Sequence, residues 1–192
     1  MKILFVRHGE SQDDIEDRYG GWADFELTEK GKGQITNSLK SIKQLDVEFE
    51  IVLTSPLKRA ITSAKIIGED LSLPVEIFEY VKERNTYGVL SGMVKSEAKE
   101  KYPDQVELLG KDEYVDGSER QGDLIARARQ ALFLVEQRKE SNLIIVTHGN
   151  FLKGMSVILD KKLVKKEDGG FVLMNLAGGK LSVLVSGGIE YE

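Results

Sequence analysis

Short apolar runs bounded by charged or turn-forming residues recur along the chain. Four of them lie at residues 3–7, 49–54, 74–78 and 142–147, and each is too short for a helix. The pattern therefore predicts four short strands of the kind found inside parallel sheets. Near the end of the chain, two alternating stretches at residues 170–176 and 179–185 meet at Ala177-Gly178-Gly179 and predict a β-hairpin.

Helix signals separate the predicted strands. Thr28 is a typical N-cap residue, and Ser55 followed by Pro56 is a typical helix start. Helices are predicted over residues 28–44, 55–70, 96–102, 119–140 and 150–159, and loops or irregular segments over 12–26, 81–93 and 104–118.

Alternation of strands and helices predicts an α/β protein, a single-domain three-layer α/β/α sandwich with a mostly parallel sheet. A chain of 192 residues suffices for one packed domain, and it shows no domain boundary, internal repeat or low-complexity tract. Residues 1–192 are therefore expected to form one domain. No apolar run of membrane-spanning length and no signal peptide is recognised, so a cytoplasmic protein without a membrane partner is expected.

The amino-acid composition excludes several classes of protein function. The chain has no cysteine, which excludes disulfides, thiol nucleophiles and thiolate metal sites. Its net charge of −5 gives no general reason to bind nucleic acid or an anionic membrane. Positive charge for a phosphorylated ligand would have to be concentrated locally. The sequence leaves the oligomeric state open, a homodimer included.

The two histidines of the chain, His8 and His148, share one sequence setting. Each directly follows an apolar run and precedes a glycine, in LFVRHG and LIIVTHG. Ligands of α/β sheets bind outside the carboxyl ends of the strands, so both imidazoles are expected to face one pocket. Arg7 precedes His8, and Arg59 near a helix start would add a second guanidinium. A metal pair is the less favoured alternative, because neither histidine has metal-ligand spacing and too few carboxylates lie near them in sequence.

This combination of groups suits phosphoryl transfer. Fixed cationic donors stabilise the charge that spreads over the oxygens of the transferring group. A neutral imidazole is a good nucleophile toward phosphorus, and a phosphohistidine divides one transfer into two easier steps. The residues alone therefore favour phosphoryl chemistry at His8.

Five blocks of sequence resemble, in order, the motifs of the histidine phosphatase superfamily, which has the phosphoglycerate-mutase-like fold. They are Arg7-His8-Gly9-Glu10-Ser11, Gly21-Trp22-x-Asp24-x-x-Leu27-Thr28-x-x-Gly31, Thr54-Ser55-Pro56-Leu57-x-Arg59-Ala60, Glu83-Arg84…Tyr87-Gly88…Gly92 and Thr147-His148-Gly149-Asn150. The first block alone is a weak signal, whereas five ordered blocks are specific.

The resemblance implies a role for individual residues. His8 would be the nucleophile, and Arg7, Arg59 and His148 would bind the phosphoryl oxygens. Glu83 would be the general acid for the leaving group and then the base that activates water, so it would have to hold a proton at first. The substrate- or phosphate-binding residues implied are Ser11, Asp14, Gly21, Arg84, Tyr87, Lys95, Gly149 and Asn150. No metal or organic cofactor is implied.

Two positions depart from the family pattern. Asp14 stands where the family usually has asparagine, so either Asp14 points elsewhere or the substrate brings a cationic or hydroxyl group. The stretch from Glu83 to Gly88 is one residue longer than usual, which leaves Glu79 as a rival acid. Glu83 is preferred because the sequence around it preserves more of the pattern.

The preferred interpretation is a phosphatase, a phosphomonoesterase, that acts on a small phosphorylated metabolite. A cofactor-dependent phosphoglycerate mutase, which would need a bisphosphoglycerate primer, is the alternative. The chain is shorter than such mutases and lacks, over residues 102–118, the insertion with their paired substrate-binding arginines; Arg84 and Arg120 are the nearby replacements. A further alternative is a non-catalytic phosphate-binding homologue, motivated by Asp14 and the lengthened acid loop.

Overall fold

The structure, a computed structural model, describes all 192 residues and contains one six-stranded sheet. The strands are β1 (Lys2–Arg7), β2 (Ile51–Thr54), β3 (Val75–Ile77), β4 (Asn142–Thr147), β5 (Leu163–Ala177) and β6 (Lys180–Tyr191). The helices are α1 (Gln12–Ile15), α2 (Glu29–Ile42), α3 (Lys58–Leu71), α4 (Lys95–Lys101), α5 (Pro103–Gly110), α6 (Gln121–Glu136) and α7 (Gly149–Leu159). Two 3₁₀ turns cover Glu79–Val81 and Gly88–Leu90.

The sheet has the strand order β3-β2-β4-β1-β5-β6. Neighbouring strands from β3 to β1 are parallel, whereas β5 and β6 form an antiparallel hairpin at the edge beside β1. The predicted α/β fold with a mostly parallel sheet is confirmed. None of the helices is both long and apolar enough to span a lipid bilayer.

Helices cover both faces of the sheet because successive side chains of a strand point to opposite sides. Leu4 and Val6 of β1 belong to the apolar cluster that contains the buried residues of α2 and α3. Ile3 and Phe5 belong to the opposite cluster, which contains those of α6 and α7. The central strands are thus buried on both sides, as their continuous apolar runs predict.

The prediction of an irregular segment over residues 104–118 is wrong in its first half, which is α5. Pro103 occupies the first helical position, where a missing backbone N–H removes no intrahelical bond. Val106 and Leu109 pack against a small apolar cluster of Leu90, Ala98 and Val115. Tertiary packing thus stabilises a helix that is too short to show a clear period in the sequence.

Three smaller predictions also need correction. Residues 12–15, predicted as loop, form the short helix α1. Ser55 is not the N-cap of the helix after β2: α3 begins at Lys58, and the Ser55 hydroxyl lies 2.7 Å from His148 Nε2 instead. The terminal hairpin is longer than its alternating stretches, because β5 already begins at Leu163.

Two glycines let the segment after β1 cross the start of α2. A Cβ atom at Gly9 would lie 2.2 Å from the Gly31 carbonyl oxygen, and one at Gly31 would lie 2.2 Å from the Glu10 carbonyl oxygen. Thr28 caps α2, as predicted, by accepting a hydrogen bond from the Gly31 N–H at 2.9 Å. The helix start is therefore held against the residues that follow His8.

We expect Gly31→Ala to destabilise the protein by about 1–3 kcal/mol, because its methyl group would force the crossing apart. Gly33→Ala is the matched control, since nothing lies within 4 Å of a Cβ there. Alanine should stabilise that helical position by about 0.5–1 kcal/mol. Urea unfolding of both variants measures the difference; equal midpoints would show that the crossing is not tight.

Candidate active site

The register between β1 and β4 brings the two histidines together. Arg7 pairs with Thr147, and the His8 N–H donates to the Thr147 carbonyl oxygen at 3.0 Å. His8 and His148 follow directly, and their ring centroids lie 4.8 Å apart in an edge-on arrangement. Both are buried, with exposures of 5% and 0%.

A cavity of about 300 Å³ opens beside these rings at the carboxyl edge of the sheet. Eleven of the predicted site residues line it: Arg7, His8, Ser11, Asp14, Gly21, Arg59, Glu83, Tyr87, Lys95, Gly149 and Asn150. His148 lies behind His8, and Arg84 does not line the cavity. Asp13, Arg18, Gly20 and Lys166 complete the lining and were not predicted from the sequence.

The His8 ring is oriented by its own backbone. Its Nδ1 lies 2.6 Å from the Gly9 carbonyl oxygen, which only accepts hydrogen bonds, so Nδ1 carries the proton of the neutral ring. Its Nε2 accepts a hydrogen bond from Arg59 Nε at 3.3 Å. Burial, with the charges of Arg59 and Arg7, holds the pKa of His8 well below its usual range. His8 is therefore neutral near pH 7, with its lone pair on Nε2.

His148 has one contact and one free ring nitrogen. Its Nε2 lies 2.7 Å from the Ser55 hydroxyl oxygen, whereas its buried Nδ1 has no hydrogen-bond partner. Burial, with the charge of Arg59 and the neighbouring His8, also lowers the pKa of His148 well below its usual range. Both imidazoles are therefore neutral near pH 7, His8 at the cavity wall and His148 next to it but outside the lining.

The two guanidiniums are held by backbone and carboxylate acceptors. Arg59 is 2% exposed and donates from its terminal nitrogens to the carbonyl oxygens of Ala23 at 2.9 Å and Gly21 at 2.8 Å. Arg7 NH1 donates to the Lys166 carbonyl oxygen at 2.6 Å. Arg7 also pairs with a carboxylate, its NH2 lying 2.7 Å from Asp168 Oδ1, while its buried Nε has no hydrogen-bond partner.

The carboxyl group of Glu83 lies at the start of α7, although the residue itself follows the first 3₁₀ turn. Its Oε1 accepts from the N–H groups of Arg84 at 2.7 Å and Phe151 at 3.0 Å, and its Oε2 from that of Asn150 at 3.2 Å. A helix N-terminus is a favourable place for a carboxylate. Glu79, the rival acid, lies in an exposed 3₁₀ turn and does not line the cavity.

Arg127 of α6 fixes the backbone of this acid loop and was not predicted from the sequence. Its NH1 donates to the carbonyl oxygens of Tyr80 and Lys82, each at 2.8 Å, and its NH2 to that of Glu83 at 3.3 Å. Glu119 holds the same guanidinium at 2.9 Å. The sequence offers little to reveal this role, because Arg127 lies at the border of the apolar stripe of α6.

Three predicted binding residues have protein partners of their own. Asp14 Oδ2 accepts from the Ser11 N–H at 3.0 Å, so the carboxylate is turned toward the start of α1 at the cavity rim. Asp14 nevertheless remains among the residues that line the cavity. Lys95 pairs with Asp17 at the rim. Arg84 donates from Nε to the Glu119 carbonyl oxygen at 3.1 Å and does not line the cavity, so its predicted role in binding stays a prediction.

Neutral imidazoles and anchored guanidiniums at the carboxyl edge of a parallel sheet define an anion-binding site in an α/β protein. The histidine phosphatase superfamily (branch 1) matches residues 3–170. The chain belongs to this superfamily, which confirms the resemblance found in its motifs.

The structure contains no group of three or more His, Asp or Glu side chains arranged to hold a metal ion.

Curated relatives and solved structures extend this finding. The chain is 40% identical over 108 residues to a 2,3-bisphosphoglycerate-dependent phosphoglycerate mutase of Streptococcus uberis, a match over 55% of this chain and 46% of that protein. It thus spans about half the length of the curated relatives it matches. The structure of Bacillus stearothermophilus YhfR is 27% identical, with a TM-score of 0.82, 96% of this chain and 95% of that chain being covered. The α-ribazole phosphatase of Shigella flexneri shares the fold at 22% identity, with a TM-score of 0.81 and the same coverage.

Because both histidines are buried and neutral, we expect the free energy of unfolding to fall in acid. Below the ordinary histidine pKa of 6.5, both histidines bind a proton in the unfolded chain but stay neutral in the folded protein, where their pKa values are lowered. Stability is therefore complete above that pH and falls below it, with a slope that approaches about 2.7 kcal/mol per pH unit. Urea unfolding in phosphate-free buffer between about pH 7 and pH 5 measures this slope. His8→Asn should roughly halve it, and an unchanged slope in that variant would contradict a neutral His8.

Proposed function

We propose that the protein is a phosphatase that hydrolyses a small phosphorylated metabolite through a phosphohistidine on His8. The observation that carries the proposal is the ring geometry of His8. Gly9 fixes the proton on Nδ1, so the Nε2 lone pair is available at the cavity wall. Arg59 Nε, 3.3 Å from that nitrogen, is placed to donate to a phosphoryl oxygen once the group arrives.

In the first step His8 Nε2 attacks phosphorus, and the bond between phosphorus and the ester oxygen breaks. The leaving alkoxide takes a proton from Glu83, which is thereby left as a carboxylate. The N–H groups of Phe151 and Asn150 stabilise that carboxylate. The free Nε of Arg7 remains to donate to a phosphoryl oxygen. His148 donates to another from its free Nδ1 in the tautomer that carries the ring proton there, in which Nε2 accepts from the Ser55 hydroxyl.

In the second step water attacks the phosphorus of the phosphohistidine. Glu83 takes a proton from this water, the bond between phosphorus and His8 Nε2 breaks, and inorganic phosphate leaves. The imidazole returns to its neutral form and Glu83 to its protonated form, so the cycle closes without any added reductant, oxidant or metal.

A phosphoglycerate mutase is the second candidate, because the curated relatives carry that name. Phosphatase is preferred for two reasons. Arg84 is turned to Glu119, and Arg120 lies over the Tyr114 ring at 5.3 Å, so neither is placed to hold a substrate carboxylate in the cavity. Residues 103–110 form a short helix where mutases would carry a longer lid, which favours access of water. A bisphosphoglycerate primer is required only under the mutase alternative.

The nucleophile and acid assignments are tested with a chromogenic phosphate ester. His8→Ala should lower kcat by at least about 10³-fold, because it removes the attacking atom. Glu83→Gln should lower it by about 10²–10⁴-fold, because glutamine cannot donate the proton. Glu79→Gln is the matched control and should retain full activity. Hydrolysis that survives His8→Ala would refute the phosphohistidine.

The choice between phosphatase and mutase is tested with 3-phosphoglycerate and a bisphosphoglycerate primer. We expect release of inorganic phosphate from a panel of phosphorylated metabolites and little isomerisation. Rapid isomerisation with little hydrolysis would overturn the phosphatase assignment. Tight phosphate binding without turnover of any ester would favour the non-catalytic alternative.

A further inference from the structure

Five cationic side chains line the cavity: Arg7, Arg18, Arg59, Lys95 and Lys166. Those at the rim are already paired within the protein. Arg18 bonds Glu16 through Nε at 2.6 Å, and Lys95 pairs with Asp17. Their charge is thus largely compensated before any ligand binds.

Lys166 differs from the other four, because its Nζ makes no hydrogen bond or ion pair with the protein. The terminal nitrogens of Arg59 donate to loop carbonyl oxygens. Arg7 NH1 donates to the Lys166 carbonyl oxygen, and Arg7 NH2 forms an ion pair with Asp168. Lys166 is therefore the cavity-lining cation that has no polar partner within the protein.

The Lys166 ammonium converges with Arg7 on the start of α7. A Cβ atom at Gly149 would lie 3.3 Å from Lys166 Nζ and 3.4 Å from Arg7 Nε, the guanidinium nitrogen without a partner. Two cationic donors and a helix N-terminus thus border one point of the cavity, beside a residue without a side chain. This is the arrangement that an anionic oxygen requires.

We propose that Lys166 is a further ligand of the transferring phosphoryl group, donating from Nζ to one of its oxygens beside Arg7. The proposal rests on the function proposed above and adds a residue to it. Burial and the charge of Arg7 lower the pKa of Lys166, while Glu83 and Asp168 oppose that shift and Lys153 adds to it. Lys166 as a whole is exposed, so the proposal depends on the position of its Nζ beside Arg7 Nε and Gly149.

Lys165 provides a matched control on the same strand. It points away from the cavity, because successive strand residues alternate in direction, and its Nζ lies 3.0 Å from Glu167 and 3.6 Å from Glu190. Lys165→Met and Lys166→Met remove the same charge one position apart. Lys166→Arg restores a cation at the proposed position.

Calorimetric titration with inorganic phosphate tests the proposal without requiring turnover. Lys166→Met should raise the phosphate Kd by about tenfold or more, as loss of a charge-assisted hydrogen bond does, and Lys166→Arg should recover most of it. Lys165→Met should match the wild type. Equal Kd values for Lys166→Met and Lys165→Met would overturn the proposal, as would absence of phosphate binding by the wild type.

Ester hydrolysis separates this proposal from the proposed function. If the wild type hydrolyses the ester and Lys166→Met has the same kcat/KM and phosphate Kd, the phosphatase assignment is supported and Lys166 is not a phosphate ligand. Phosphate binding that depends on Lys166, in a protein that hydrolyses no ester, would support Lys166 as a ligand and reject the catalytic assignment.

Discussion

The parallel pairing of β1 with β4 is the constraint on which the site depends. A shift of one residue in this register would turn every side chain of the shifted strand to the opposite face of the sheet and separate the two imidazoles. Because β1 and β4 are buried on both faces, the two apolar clusters select the register before any catalytic side chain contributes. The position of His8 against His148 is thus a consequence of core packing.

Desolvation sets the charge state of the two histidines, and hydrogen-bond and ion-pair partners set the positions of the two arginines. Burial keeps both imidazoles neutral, whereas Arg7 and Arg59 stay fixed through acceptors on loops and on β5. The site therefore combines uncharged imidazole nitrogens with guanidinium charges that are held in place. Such preorganisation is the main way in which proteins stabilise charge that moves during a reaction.

The sequence predicted the strands, the fold class and most cavity residues, because these depend on short apolar runs and on residues adjacent to strand ends. It missed α5, whose stability comes from contacts with Leu90 and Val115 rather than from its own period. It also missed Lys166 and Arg127, which reach the site from elements distant along the chain. Their side chains resemble ordinary surface charges until the topology places them, so no local pattern could have revealed them.

The hydrogen bonds from Arg127 to the backbone of residues 80–83 affect which positions of this loop can be substituted. Its contacts there are carbonyl oxygens, which every amino acid supplies, so the loop backbone keeps its path when the side chains at Tyr80 and Lys82 are exchanged. The side chains at Tyr80 and Lys82 can therefore vary while the backbone that carries Glu83 keeps its path. Arg127 thus fixes the path of this loop independently of which side chains the loop carries.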